Sequence, residues 1–187
     1  VVFNDYQLSD LDLADLRELK TLRVIDLGRS SKVTDTGLWY LKDLPALEEL
    51  NLGSASFEGP ALALIAKHKK LRKLVLPSMS ESSDRLIQPL AQLADLESLS
   101  LGEWSGSIKG PGLAQLAAMK KLKELTLGSQ GVDDAALASL KGAAALESLR
   151  LLRSNLIGPG LAHLAALPKL KRLDILSHGI NDAGLAG

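Results

Sequence analysis

The 187 residues are 46% hydrophobic, carry 22 lysines and arginines against 22 aspartates and glutamates, and include no cysteine. That apolar share buries a sizeable core within one domain, residues 1–187. The balanced charge removes the field that draws a chain to nucleic acid or an anionic membrane, and the missing cysteines exclude disulfides, thiolate zinc sites and cysteine nucleophiles. No uninterrupted apolar run reaches the roughly 18 residues of a membrane span. The opening VVFNDYQL lacks the charged region and apolar stretch of a secretion signal. The compartment stays open, with a cytoplasmic setting slightly favoured.

One design recurs along the chain. In Gly110–Gly128 the residues Leu113, Leu116 and Met119 are spaced by three, as on one helix face, and Leu125 and Leu127 by two, as in a strand. Aligning the chain on the closing Leu-x-x-Leu-x-Leu finds seven copies, ending at Leu27, Leu52, Leu76, Leu101, Leu127, Leu151 and Ile175. Successive copies are spaced by 25, 24, 25, 26, 24 and 24 residues. Each supplies three helix slots and three strand slots, and forty of the forty-two hold Leu, Ile or Met; the exceptions are His68 and Ala143. A fixed period of this length marks a solenoid. Parallel strands are predicted near 22–27, 47–52, 71–76, 96–101, 122–127, 146–151 and 170–175, each preceded by a helix.

The first copy opens at Leu8-Ser9-Asp10 and the second at Val33-Thr34-Asp35, where a short polar side chain ahead of an apolar stripe reads as an N-cap. Gly59-Pro60, Gly110-Pro111 and Gly158-Pro159 instead place proline in the first helical turn, where its missing N–H costs little. Asp133-Asp134 and Asn181-Asp182 return to the acidic opening. Residues 77–82 and 102–108 break the regularity, and Gly142-Ala143-Ala144-Ala145 is locally small. Val1–Phe3 reads as the remnant of an earlier strand and Asn181–Gly187 as the start of an eighth helix. Neither end looks like a cap, so the chain is expected to be part of a longer protein.

The stretches VTDTGLWYLKDLPALEELNLG, IKGPGLAQLAAMKKLKELTLG and INDAGL resemble the short, cysteine-free leucine-rich repeats common in bacterial proteins, with a layout like that of the ribonuclease-inhibitor type. The resemblance covers roughly residues 8–187. It implies a curved, right-handed α/β solenoid with a parallel sheet on the concave face and helices on the convex face. It also implies a protein that binds other proteins. One feature departs from the family: the asparagine expected three residues after the last strand leucine is replaced by Ser30, Ala55, Met79, Trp104, Gln130, Ser154 and His178. Other groups or water must then satisfy the turn backbones.

Alternation along the strands turns Val24, Asp26, Glu49, Asn51, Lys73, Val75, Ser98, Ser100, Glu124, Thr126, Ser148, Arg150, Arg172 and Asp174 toward the concave surface. Two readings of this face stand together. It is a solvated surface with incidental ion pairs, each worth ~0–1 kcal/mol, or a recognition surface. On the second reading Asp26 and Glu49 contribute acids early in the chain. Arg150, Arg153 and Arg172 form a late cluster suited to an acidic partner. Met79 and Trp104, at equivalent places in neighbouring irregular loops, either fold back over the sheet edge or anchor a partner.

Catalytic signals are weak. His68 falls in a helix slot amid Lys67, Lys69 and Lys70 and reads as a partly buried ring; His163 points to the convex surface. HExxH, GxxxxGK[ST] and GxSxG are all missing from the sequence. Trp39 and Tyr40 read as a convex packing pair. No cofactor and no metal is implied, the partner is expected to be another protein, and the oligomeric state is open. The preferred function is therefore a non-enzymatic binding scaffold. The alternative is an activator resembling the leucine-rich GTPase-activating proteins, with Arg29 in the first strand-to-helix loop as its candidate residue.

Overall fold

The computed structural model describes residues 8–78, 84–104, 108–177 and 179–180, with 85, 86, 103 and 104 described by backbone alone. Seven strands, β1 (Val24–Asp26), β2 (Glu49–Asn51), β3 (Lys73–Leu76), β4 (Ser98–Trp104), β5 (Glu124–Ser129), β6 (Ser148–Ser154) and β7 (Arg172–Ser177), form one sheet in sequence order. Every neighbouring pair is parallel. The helices are α1 (Asp10–Ala14), α2 (Asp35–Leu41), α3 (Gly59–Ile65), α4 (Asp84–Leu90), α5 (Gly110–Ala117) and α6 (Asp134–Leu137). Tighter 3-10 turns follow α1 and α6, and a 3-10 helix at Pro159–Ala166 takes the place of an α-helix before β7. Helices pack about 8–10 Å apart whereas strands lie about 4.8 Å apart, so stacking both curves the solenoid with the sheet inside. Among the described residues no helix is long and apolar enough to cross a membrane.

Local chemistry explains the helix starts. The Ser9 N–H donates to Asp12 (2.8 Å), the Thr34 hydroxyl accepts from the Thr36 N–H (3.3 Å), and Asp133 accepts from the Ala136 N–H (2.8 Å). Prolines 60 and 111 sit in the first turns of α3 and α5. The same acidic openings also reach across repeats. Asp10 accepts from the Thr34 N–H (2.7 Å) and hydroxyl (2.6 Å), Asp35 from the Glu58 N–H (3.2 Å), and Asp84 from the Lys109 N–H (2.8 Å). Asp134 accepts from the N–H groups of Ile157, Gly158 and Gly160. Burial pushes the Asp134 carboxyl up, but these three donors outweigh it and leave the group below the usual carboxylate range.

The leucine slots line one core cluster. Thirty-six of the forty-two are buried, and the six that are not (Leu19, Leu22, Leu161, Leu170, Leu173 and Ile175) all belong to the first and last repeats. His68 and Ala143 are buried like the leucines they replace. The His68 Nδ1 lies 3.3 Å from the Leu44 carbonyl oxygen, and burial pushes the ring below its ordinary value. Trp39 and Tyr40 meet edge to face on α2 with centroids 5.6 Å apart, and the Lys42 ammonium lies 3.6 Å from the Trp39 ring centroid.

Strand lengths differ from the expectation. β1 and β2 have three residues each, whereas β4 to β7 run on past the last leucine slot. Register shifts at Gly102 and at Arg153 displace the paired residues by one, so Trp104 pairs with Ser129 rather than Gln130, and Ser154 with Ser177 rather than His178. Counting three residues beyond the last leucine therefore does not identify equivalent positions there. A bulge adds a residue that opposes none.

Candidate functional site

The sheet presents two rows of side chains per strand to the concave side, and all fourteen of the alternating residues are half-buried or exposed. In-register pairing aligns them across the strands: Val24 beside Glu49, Glu49 beside Lys73, and Ser148 beside Arg172. At the strand entry edge a further column appears. Arg23, Glu48, Arg72, Glu97, Lys123, Glu147 and Lys171 occupy the same place in seven successive repeats and alternate in sign without a break. Arg23 pairs with Glu48 (2.6 Å), Arg72 and Lys123 (2.5 Å) both pair with Glu97, and Lys171 pairs with Glu147 (2.7 Å).

Electrostatics along this edge follows the pairing. Hydrogen bonds from Lys123 and then Arg72 hold the Glu97 carboxyl at about 2. The Glu48 and Glu147 carboxyls are lowered by Arg23 and Lys171 respectively. The first five members of this column, Arg23 to Lys123, line a depression of about 390 Å³ together with Glu49, Lys73, Ser98 and Glu124. Its charges answer one another, so the depression favours neither sign of ligand. Spacings in the sequence carried the signal for this column, at the same intervals as the leucines. The column lies one residue before the strands, outside their alternating positions.

Residues singled out from the sequence fall into separate groups. Asp26 accepts from the Gly28 N–H (2.9 Å) and the Asn51 amide (2.9 Å), so it organises the first turn, and Asn51 in turn accepts from the Gly53 N–H (3.0 Å). Glu49 is exposed on β2. Arg150, on β6, donates to Asp174 on β7 (2.8 Å), so one member of the arginine cluster already has a carboxylate. Arg172 is exposed on β7, and Arg153 occupies the β6 bulge with φ 53. The sheet brings the three arginines onto adjacent strands and keeps Glu49 four strands away, about 20 Å at strand spacing. Trp104 lies at the end of β4, paired through its backbone with Ser129, rather than in an irregular loop as expected. Met79 lies outside the described residues.

The strand exit edge shows what stands in for the asparagines. The Ser54 hydroxyl donates to the Gly28 carbonyl (2.6 Å), and the Asn155 amide to the Gln130 carbonyl (2.6 Å). The Ser129 hydroxyl accepts from the Ile108 and Gly131 N–H groups, each at 3.2 Å. Ser177 donates to the Ser154 (2.9 Å) and Leu156 (3.0 Å) carbonyls. Three short hydroxyls and one amide, each placed one residue away, thus take over turn bonds in these repeats.

Among solved structures, the chain superposes on an internalin (inlF) from Listeria monocytogenes with a TM-score of 0.63 and 20% identity. The match covers 96% of this chain and 55% of that one, so the chain spans a little over half of its length. Internalin C2 (inlC2) of the same organism gives a TM-score of 0.55 and 20% identity over 96% of this chain and 80% of that one. The fold is the leucine-rich repeat. No protein-family model matches the sequence, and a search of curated proteins gives no match. At this identity the likeness is one of leucine-rich-repeat architecture, and what the repeats do here rests on their own side chains.

Proposed function

We propose that residues 1–187 act as one protein-binding scaffold that receives its partner on the concave face and the strand-to-helix loops. The observation that carries this reading is the set of exposed and half-buried side chains held in register across seven strands, backed by leucines buried on the opposite face. Such a surface is rigid before binding, so little ordering entropy is lost when a partner docks. The shifted carboxyls are explained by ion pairs along the entry edge and by backbone donors at helix starts, which are structural tasks. Support for a protein partner also comes from the balanced overall charge, which favours neither nucleic acid nor an anionic membrane. Trp104 and Met79 belong to the proposed surface as candidate anchors, together with Asp26, Glu49, Arg150, Arg153 and Arg172.

The test is affinity capture from the native host with three baits: the wild-type chain, a concave variant Lys73→Glu/Arg172→Glu, and a convex variant Lys67→Glu. A partner retained by wild type and the convex variant, and lost by the concave one, supports the reading. Retention by all three, or loss with the convex variant alone, would overturn it. The GTPase-activator alternative predicts instead that the chain stimulates hydrolysis in a panel of GTPases and that Arg29→Ala abolishes this.

A further inference from the structure

The overall charge is zero, but the charges are not spread evenly. All seven strands are parallel, so the segments that lead from helix to strand line one rim of the solenoid. The seven stretches 17–23, 42–48, 66–72, 91–97, 117–123, 141–147 and 165–171 end on the alternating column and hold fourteen of the 22 cations but only six of the 22 acids. This rim is therefore positive by eight charges, and the rest of the molecule is negative by the same amount.

Ion pairing sorts the rim further. Each of its six acids already has a cation: Arg17 holds Glu18, Lys42 holds Asp43, Arg23 holds Glu48, Lys121 holds Asp95, Arg72 and Lys123 share Glu97, and Lys171 holds Glu147. That engages seven of the fourteen cations. The other seven, Lys20, Lys67, Lys69, Lys70, Lys120, Lys141 and Lys169, are exposed lysines with no ion pair among the described residues. Lys20 donates to the Arg17 and Asp43 carbonyls instead. Lys70 and Lys169 help to lower the Glu48 and Glu147 carboxyls, but Arg23 and Lys171 are already bonded to those groups.

Helix chemistry accounts for only part of this. A cation just after a helix complements its dipole. Yet α3 is followed by Lys67, Lys69 and Lys70, whereas α4 is followed by no cation before β4. The stretch 66–72 holds four cations and no acid of its own. Like charges held side by side repel, so the rim carries a cost that the core does not require and that an anion relieves.

The kind of anion follows from what else the rim holds. The seven stretches contain no tryptophan, tyrosine or phenylalanine, so they offer neither a platform for stacked bases nor the aromatic belt of a membrane interface. Every unpaired cation is a lysine, which lacks the planar fork that grips a phosphate in two places. Six carboxylates are interleaved with the lysines, and a continuous phosphate surface would have to face them. A polypeptide can instead set its acids only where the lysines stand. Repeats lie about 5 Å apart at the sheet and about 10 Å apart at the helices, so repeats three to seven span about 20–40 Å, which about ten extended residues cover.

We infer that this rim docks an extended acidic segment of a partner protein, its carboxylates meeting the unpaired lysines from Lys67 to Lys169. The rim is a separate surface from the concave face, so the inference goes beyond the scaffold reading. Exposed charges of this kind act chiefly on encounter rate and orientation, and salt weakens them.

The experiment follows the anisotropy of a fluorescent peptide of about ten residues that alternates Glu with Ser, titrated with the 187-residue chain, with a Gln-Ser peptide as counterpart. The acidic peptide is expected to bind in low salt and to be released as salt rises, and the Gln peptide to bind about tenfold more weakly or worse. Lys69→Gln/Lys70→Gln/Lys120→Gln should weaken binding about tenfold, with the thermal melt unchanged or raised because repulsion is removed. Lys32→Gln/Lys109→Gln, at helix starts on the opposite rim, should change it by less than about twofold. A DNA duplex and phosphatidylserine vesicles, matched for negative charge, should displace the labelled peptide less well than unlabelled peptide does. Absence of binding, indifference to the three-lysine variant, or equal displacement by duplex or vesicles overturns the inference. Lys67→Glu leaves six of the seven lysines in place, so it still serves as the convex control for a concave partner. A host partner lost by Lys73→Glu/Arg172→Glu and kept by the three-lysine variant supports the scaffold reading whatever the peptide does.

Discussion

Leu125 and Leu173 occupy the same slot of the repeat, yet they should answer truncation very differently. Leu125 is 2% exposed and pairs in register with Leu99 and Leu149, themselves buried at 1% and 0%. Leu125→Ala removes three carbon groups, which forfeits about 2.4 kcal/mol of transfer free energy at ~0.8 per group. The enclosed cavity adds about 1–2 kcal/mol, for a loss of about 4. Leu173 lies on β7 with 43% of its surface exposed. Its truncation forfeits a little over half of the transfer term, about 1.4 kcal/mol, and leaves no closed void. Urea unfolding of the two variants should therefore differ by about 2.5 kcal/mol, with the slope against denaturant unchanged so that the comparison is of like transitions. Equal losses, or a larger loss for Leu173, would refute the reasoning. They would mean that the last strand is as enclosed as the centre.

Three further outcomes are expected. Glu97→Gln should flatten the acid limb of the stability profile. The folded carboxyl titrates at about 2 against an ordinary value of 4.5, so its contribution is complete above the higher figure and is lost as pH falls through the lower one. In urea titrations the gap between wild type and variant at neutral pH should close toward pH ~2 and in high salt. His68→Leu should remove a second acid-sensitive contribution. Burial places the folded ring below 6.5, so stability is complete above that value and falls as pH drops below it. Thermal melts of His68→Leu should then vary less than wild type as pH drops from ~7 to ~5. Gly160→Ala would drive its methyl into the Asp134 backbone and should cost about 1–3 kcal/mol, whereas Gly142→Ala meets nothing nearer than the Ala117 carbonyl oxygen at 3.6 Å and should cost less. Chemical denaturation of the two side by side checks the order.

Much of this architecture was legible in the chain itself because a leucine slot is a local fact repeated seven times. Helix spacing, strand alternation and a fixed period all point to one parallel sheet, and the buried slots follow that pattern through the interior. The alternating column from Arg23 to Lys171 was equally present in the sequence, at the leucine spacings, and needed only to be read down the repeats. Other features belong to the tertiary structure. The bulges that shift Trp104 onto Ser129 and Ser154 onto Ser177 depend on how neighbouring strands pair, which no single repeat contains. That Arg150 meets Asp174, that Asp134 reaches three backbone donors one repeat on, and that Leu173 is half uncovered are likewise decided between repeats. Periodicity specifies which face a side chain takes because that depends on backbone geometry over a few residues. Its neighbours some twenty-five residues away are set by packing, where one inserted residue moves every later contact.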